Sequence, residues 1–197
     1  MSVIRSSYEI AMERTKTVEG NKESLETNEL VKEGKRLASL FLDHQLENLT
    51  KAIKEHDKKK AKWVEEGVFQ ALMSNLTLPQ DEYGFKKNRR VGEALFSIVA
   101  ESRKLGRMLS ELEHFFKEYL EESKRMSEAA EAQYAPKLKK KEEELAKQLG
   151  TQVKMDPASD PEYQSFLRKN LAYLEDKYNT VLTEARDEIR KIFESKG

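Results

Sequence analysis

The chain has 197 residues, of which 37% are charged and 38% are hydrophobic, a balance that argues against a compact globule with a thick core. Its 36 basic and 36 acidic residues cancel, so no overall charge favours binding to nucleic acid or to a membrane surface. The absence of cysteine excludes disulfides, thiol nucleophiles and thiolate metal sites. High charge with only four prolines and eight glycines is typical of long helices and coiled coils.

The composition also bears on the compartment. The N-terminal stretch MSVIRSSYEIAMERTK has too short an apolar run for a signal peptide. Nowhere do about 18 apolar residues follow one another, as a membrane-spanning helix requires. We therefore expect a soluble cytoplasmic protein, and the lack of cysteine fits a reducing compartment.

Helical patterns fill the N-terminal part of the chain. Gly20 and Asn21 predict a break after a first short helix. A second helical pattern runs over residues 22–53 and ends in the strongly polar stretch KEHDKKKAKW at residues 54–63. That stretch is either a solvated helical turn or a point where the helix bends.

A third apolar pattern, over residues 63–76, has the helical period and is stopped by the stretch NLTLPQDEYG. Within it, Pro79 cannot easily continue a helix, and Gly84 adds a turn signal. We therefore predict an N-terminal helical region at residues 1–78 and a C-terminal helical region at 79–197, which can also form one continuous body.

The C-terminal region begins with a near-heptad apolar pattern over residues 90–130. Pro136 is predicted either to kink this helix or to split it. Gly150 is a good helix stop, and Asp160 can cap a last helix with Pro161 at its first position.

A loop of roughly ten residues between two long amphipathic helices is typical of an antiparallel hairpin. If the turn centres near Met155, Tyr178 lies near Ala132 and Ile189 near Glu121. The predicted fold is therefore all-α, with long amphipathic helices and a C-terminal antiparallel helical hairpin that has coiled-coil-like packing. The apolar stripe of the last helix exceeds what one hairpin covers, so the N-terminal helices or a second subunit should cover the rest.

The two long stripes predict a protein–protein interaction, scaffold or adaptor protein without catalytic activity, either self-associating or bound to another protein. The simpler interpretation is an intramolecular core. We expect charging Tyr178 or Leu112 to reduce helical content or assembly. The predicted packing anchors are Leu105, Leu109, Leu112, Phe116, Leu174, Tyr178, Val181 and Ile189.

Two basic clusters favour an alternative function, nucleic-acid binding, because lysine and arginine beside an aromatic ring can contact phosphates and stack on a base. Acidic neighbours flank both clusters, which favours a solvated surface instead. The first cluster consists of Lys58, Lys59, Lys60, Lys62 and Trp63. The second consists of Lys86, Lys87, Arg89 and Arg90, after Phe85.

Catalytic and metal-binding patterns are weak. The pair Glu111 and His114 has the Glu-x-x-His spacing of di-iron helical bundles, but His44 and His56 lack the glutamate that a second such pair needs. The sequence has no Gly-x-Ser-x-Gly elbow and no glycine-rich phosphate loop. We therefore predict that the protein is not an enzyme and has no catalytic residue, metal or cofactor.

The N-terminal segment resembles a group of uncharacterised bacterial helical proteins, a domain-of-unknown-function family. The similarity lies in Glu-Ile-Ala-x-Glu-Arg-Thr at residues 9–15 and Glu-Gly-Lys-Arg-Leu at residues 33–37. This resemblance implies a bacterial source and a helical fold, and it implies no activity and no site residues.

Overall fold

Six α-helices make up the described part of the chain, which contains no β-strand. The computed structural model describes the backbone of residues 7–99 and 102–196, and within these ranges the side chains from Ser24 onward. The helices are α1 Ser7–Leu42, α2 Leu49–Lys54, α3 Lys58–Asn75, α4 Glu82–Ile98, α5 Arg103–Leu149 and α6 Pro161–Glu194, with a 3₁₀ turn at Pro157–Ser159 before α6. The predicted all-α class is confirmed.

The chain folds as two compact units. Unit 1 comprises Met1–Leu76 and Arg90–Glu101, and unit 2 comprises Thr77–Arg89 and Ser102–Gly197. Helix α4 therefore contributes its first half to unit 2 and its second half to unit 1. The predicted division of the chain at residue 78 stays a prediction.

Two predicted helix boundaries in unit 1 are wrong. Helix α1 continues through Gly20 and Asn21, since one glycine costs a helix only about 1 kcal/mol relative to alanine and helix-forming Glu and Lys residues surround it. The helix predicted over residues 22–53 is interrupted instead after Leu42, where His44 has a φ of 60°. The Asn48 side chain then accepts a hydrogen bond of 2.8 Å from the Lys51 backbone N–H and starts α2.

Helices α1 and α3 touch at two glycines that lie in the same local motif, Val-x-Glu-Gly, at residues 31–34 and 64–67. A Cβ atom added to Gly34 would lie 2.0 Å from the Val64 carbonyl oxygen. One added to Gly67 would lie 2.1 Å from the Val31 carbonyl oxygen. The contact is therefore reciprocal, and only glycine permits the two backbones to approach so closely.

The predicted helix over residues 90–130 is also interrupted. Helix α4 ends at Ile98, and α5 begins at Arg103, where the Ser102 side chain accepts a hydrogen bond of 3.4 Å from the Leu105 backbone N–H. A serine at this position favours a new helix start over continuation, because its hydroxyl satisfies a backbone donor of the first turn.

Pro136 lies inside α5 and does not split it. Helix α5 ends before Gly150, which has a φ of 69° and donates its backbone N–H to the Ala146 carbonyl. The predicted start of α6 is confirmed, since the Asp160 side chain accepts the Glu162 backbone N–H and Pro161 opens the helix.

Candidate interaction surfaces and the hairpin contacts

The side-chain contacts between α5 and α6 run in antiparallel order along unit 2. Lys141 contacts Asp160, Tyr119 contacts Tyr178, and Lys104 pairs with Glu188. In successive contact pairs, the residue number on α6 thus rises while that on α5 falls, as it does in an antiparallel pair. Coiled-coil-like packing of the pair stays a prediction.

The predicted register of these two helices is wrong. The Tyr178 ring lies 5.0 Å from that of Tyr119, 13 positions before the predicted neighbour Ala132. The cause is the loop, which folds back along α5 instead of turning symmetrically. The Met155 backbone N–H donates to Glu142 Oε1 at 2.8 Å, so the last turns of α5 lie beside the loop and not beside α6.

An aromatic and aliphatic cluster holds the middle of the α5–α6 pair. Tyr119, Leu174 and Tyr178 are buried, and Leu78, Phe115 and Met126 pack against them. The Tyr178 hydroxyl donates to Glu122 Oε2 at 2.7 Å. Burial, with the Glu122 hydrogen bond as the next cause, raises the pKa of Tyr178 to about 12, so the phenol stays protonated.

A group of charged and polar side chains joins the two helices at the start of α6, and we call it the hairpin network: Tyr134, Lys137 and Lys141 of α5, Asp160 before α6 and Glu162 of α6. Lys141 Nζ donates to Asp160 Oδ2 at 2.7 Å and to the Tyr134 hydroxyl at 3.1 Å, and lies 3.0 Å from Glu162 Oε2. Lys137 pairs with Glu162. The three protons of the Lys141 ammonium group therefore have three acceptors.

Asp160 is the buried centre of the hairpin network, with 2% of its surface exposed. Its Oδ1 accepts the Glu162 backbone N–H at 2.9 Å, and its Oδ2 accepts the Tyr134 hydroxyl at 3.0 Å in addition to Lys141. One carboxylate thus caps α6 and binds α5 at the same time. The Tyr134 ring packs on Tyr163 at 5.3 Å, which encloses the network on its apolar side.

The same contacts shift the pKa values of the hairpin network. The hydrogen bond from Lys141 lowers the pKa of Asp160 to about 2, and the hydrogen bond from Lys137 lowers the pKa of Glu162 to about 2. The hydrogen bond to Asp160 raises the pKa of the Lys141 ammonium group above its ordinary value. Asp160, Glu162 and Lys141 are therefore charged at neutral pH, and their arrangement ties α5 to α6.

Sequence reasoning missed the hairpin network except for the cap at Asp160. A signal is present in the sequence, because Tyr134, Lys137 and Lys141 have the spacing of one helical face. Their acidic partners follow a loop whose path the sequence does not reveal.

The structure buries most of the predicted packing anchors inside the monomer. Leu105, Leu112, Phe116, Leu174, Tyr178 and Ile189 are buried, and Leu109 is half-buried. Val181 is the exception: it is 46% exposed, whereas Leu182 is 1% exposed and takes the inward position. On the buried face of α6, the residue that follows Tyr178 is therefore Leu182, four positions later. The predicted residue was Val181, three positions later.

The first basic cluster lies at the start of α3 in unit 1. Lys58, Lys59 and Lys62 are exposed, and Trp63 keeps 41% of its surface exposed. Lys60 is engaged with Glu26 at 2.8 Å. Three lysines and the indole ring of the predicted set are thus accessible.

The second basic cluster is less accessible than predicted. Arg90 Nε donates to the Phe41 carbonyl at 2.6 Å, and the guanidinium group lies 4.2 Å from the Phe41 ring centre. Arg90 therefore holds the end of α1 within unit 1. In unit 2, Arg89 lies 4.0 Å from Glu113, and the Phe85 ring is buried, so it cannot stack on a base. Lys86 and Lys87 remain exposed.

The described residues contain no group of three or more histidine, aspartate or glutamate side chains placed to hold a metal ion. Glu111 and His114 are both exposed on α5. No helix in the described ranges is long and apolar enough to cross a membrane.

Residues 50–191 match a protein family described as a family of unknown function, DUF6657. The chain belongs to this family. The match confirms the predicted assignment to an uncharacterised family, although residues 9–15 and 33–37, on which the resemblance depended, precede the matched segment. The DUF6657 segment runs from α2 into the last turns of α6 and includes the whole hairpin network.

Helix α1 precedes the DUF6657 segment, yet Gly34 of α1 packs directly against Val64 within it. No curated protein and no solved structure matches the chain.

Proposed function

We propose that this DUF6657 protein is a non-catalytic cytoplasmic scaffold or adaptor that binds another protein or a second copy of itself. The observation that supports the proposal most directly is the exposure of two tyrosines, Tyr83 and Tyr173, each with 76% of its surface accessible. Tyrosine is enriched where protein surfaces meet, because it offers a large, rigid apolar ring with a polar end.

The exposed side chains are better candidates for binding than the anchors predicted from the stripes. Tyr178 and Leu112 are buried, so charging either of them would test folding and not binding. The large apolar side chains that are exposed include Leu25, Trp63, Tyr83, Phe96, Leu149, Tyr173 and Val181. Substitutions at these positions can remove a contact with a partner while the core stays intact.

The test combines native mass with affinity capture from a cell lysate, with and without nuclease. We compare the wild type with Tyr83→Glu and Tyr173→Glu, and use Thr180→Glu, an exposed polar position on α6, as the matched control. The proposal predicts either a stoichiometric protein partner whose capture survives nuclease or a homo-oligomer. At least one tyrosine variant should lose this partner or oligomer while its helical content stays unchanged. A monomer with no such partner would contradict it.

Nucleic-acid binding is the second candidate, and the observation that favours it is the exposure of Lys58, Lys59 and Lys62 beside Trp63. If these lysines contact phosphates, Lys59→Glu/Lys62→Glu should weaken binding. The slope of the logarithm of the binding constant against the logarithm of the salt concentration should also become shallower, by about 0.7–0.9 for each lost phosphate contact. The control is Lys139→Glu/Lys140→Glu, which alters the net charge equally on α5. Equal losses in both variants would show that no specific patch binds the nucleic acid.

A further inference from the structure

The apolar faces of α5 and α6 do not define a single register between the two helices. On α5, Leu105, Leu112, Tyr119 and Met126 follow one another at steps of seven residues. On α6, Leu171, Tyr178, Ala185 and Ile192 do the same. If one helix slides by a heptad, apolar residues again meet apolar residues. The predicted pairing of Tyr178 with Ala132 is such an alternative, displaced from the observed one by about two heptads.

The hairpin network does not repeat in this way. One heptad further along α5, the positions of Tyr134, Lys137 and Lys141 are occupied by Lys141, Glu144 and Gln148. Asp160 and Glu162 would then lose one cation and meet the carboxylate of Glu144. One heptad earlier, the same positions hold Ser127, Ala130 and Tyr134, which offer no cation at all. The earlier shift leaves the buried Asp160 carboxylate with no ammonium partner, and the later shift leaves one lysine, at the position of Tyr134, for two carboxylates and adds the charge of Glu144.

We infer that the hairpin network is a register lock, which selects one alignment of α5 and α6 among several in which the heptad-spaced apolar residues of the two helices meet. The lock acts where the chain enters α6, because Asp160 is both the cap of that helix and the acceptor for Lys141 of α5. Buried ion pairs contribute little net stability compared with apolar replacements, whereas a wrong alignment leaves a charge unpaired. The inference does not depend on the proposed function.

The absence of native cysteine makes the register directly measurable by crosslinking. Lys104 and Glu188 are in contact, so Lys104→Cys/Glu188→Cys reports the observed register. Glu111→Cys/Glu188→Cys reports a shift of one heptad, and Glu118→Cys/Glu188→Cys reports a shift of two heptads. One heptad corresponds to about 10 Å along the helix. Each pair is treated with a short bismaleimide at high dilution, and intramolecular products are quantified by mass spectrometry.

Each cysteine pair is placed in three backgrounds. The first is the natural sequence. The second removes the four charges of the lock at unchanged net charge and keeps a capping side chain, by Lys137→Gln, Lys141→Met, Asp160→Asn and Glu162→Gln. The third moves the cations one heptad along α5, by Lys137→Gln, Lys141→Tyr, Glu144→Lys and Gln148→Lys. Circular dichroism establishes which backgrounds are folded.

The natural sequence should crosslink only through positions 104 and 188. The neutral background should retain its helical content but crosslink through more than one pair, and the moved background should favour positions 111 and 188. Exclusive crosslinking of 104 and 188 in the folded variants would overturn the inference. If the neutral background does not fold, the moved background supplies the test, because it keeps two cations and only displaces them. Crosslinking of positions 111 and 188 then supports the register lock, and exclusive crosslinking of 104 and 188 overturns it.

Discussion

Two neighbouring residues of α6 differ sharply in their surroundings, since Val181 is 46% exposed and Leu182 is 1% exposed. They provide a matched pair at the residue scale. Leu182→Ala should lower the free energy of unfolding by about 2–5 kcal/mol, because it removes a buried side chain and leaves a cavity. Val181→Ala should change it by less than about 0.5 kcal/mol. Urea unfolding at equilibrium measures both, and equal effects would show that α6 buries a different face.

The glycine contact between α1 and α3 gives a second prediction at the residue scale. Gly67→Ala places a Cβ atom 2.1 Å from the Val31 carbonyl oxygen, and backbone cannot yield as a side chain can. We expect a net loss of about 2 kcal/mol, since overpacking outweighs the gain of about 1 kcal/mol in helix propensity.

The control for this substitution is Gly84→Ala, where the nearest atom to an added Cβ, the Pro79 Cα, lies 3.3 Å away. Its effect should stay within about 1 kcal/mol, because the helix propensity of alanine offsets the tight contact. A Gly67→Ala variant as stable in urea as the wild type would contradict the close approach of α1 and α3.

At the scale of the elements, the start of α6 should make stability depend on pH in the acid range. The folded pKa values of Asp160 and Glu162 are about 2, below the values of about 4 that these side chains have in unfolded chains. The carboxylates therefore stabilise the folded state above about pH 4.5, and this stabilisation is lost as the pH falls towards 2. The contribution of Glu162 is reduced by solvent screening, because its side chain is half exposed.

Thermal unfolding between pH 6 and pH 2.5 tests this prediction. The melting temperature of Asp160→Asn/Glu162→Gln should fall less steeply with acid than that of the wild type. The control, Asp176→Asn/Glu184→Gln, removes two exposed carboxylates elsewhere on α6 and should follow the wild-type slope. Parallel slopes for all three proteins would mean that the hairpin network does not couple to folding.

Helix boundaries show which elements a local signal can predict. The stops before Pro79 and at Gly150 and the cap at Asp160 were predicted from single residues, because each changes the backbone donors or angles locally. The new starts at Asn48 and Ser102 were missed, although both are capping residues. The apolar periodicity continues across Asn48 and Ser102. A prediction based on periodicity therefore joins helices that these capping residues separate.

At the scale of the whole molecule, the charge balance sets the long-range repulsion between copies of the protein. With 36 basic and 36 acidic residues the protein has a sequence pI of about 6.9, so long-range repulsion between copies is weakest near that pH. We expect the second virial coefficient from static light scattering to be lowest near pH 7 and to rise at pH 5 and pH 9. Tyr173→Glu adds one negative charge and should raise it modestly at pH 7. If the same variant changes the mass of a defined oligomer, Tyr173 lies in a specific interface.

The sequence by itself determined that the protein is helical, where several helices end, and that no cysteine chemistry is available, because these properties depend on composition and on the backbone preferences of single residues. The tertiary structure decided the register of α5 and α6, the burial of Leu182 in place of Val181, the engagement of Arg90 with Phe41 and the meeting of Gly34 with Val64. Each of these depends on residues that are distant in sequence or on the path of a loop. A heptad pattern predicts that two faces meet, but the residues that do not repeat decide where they meet.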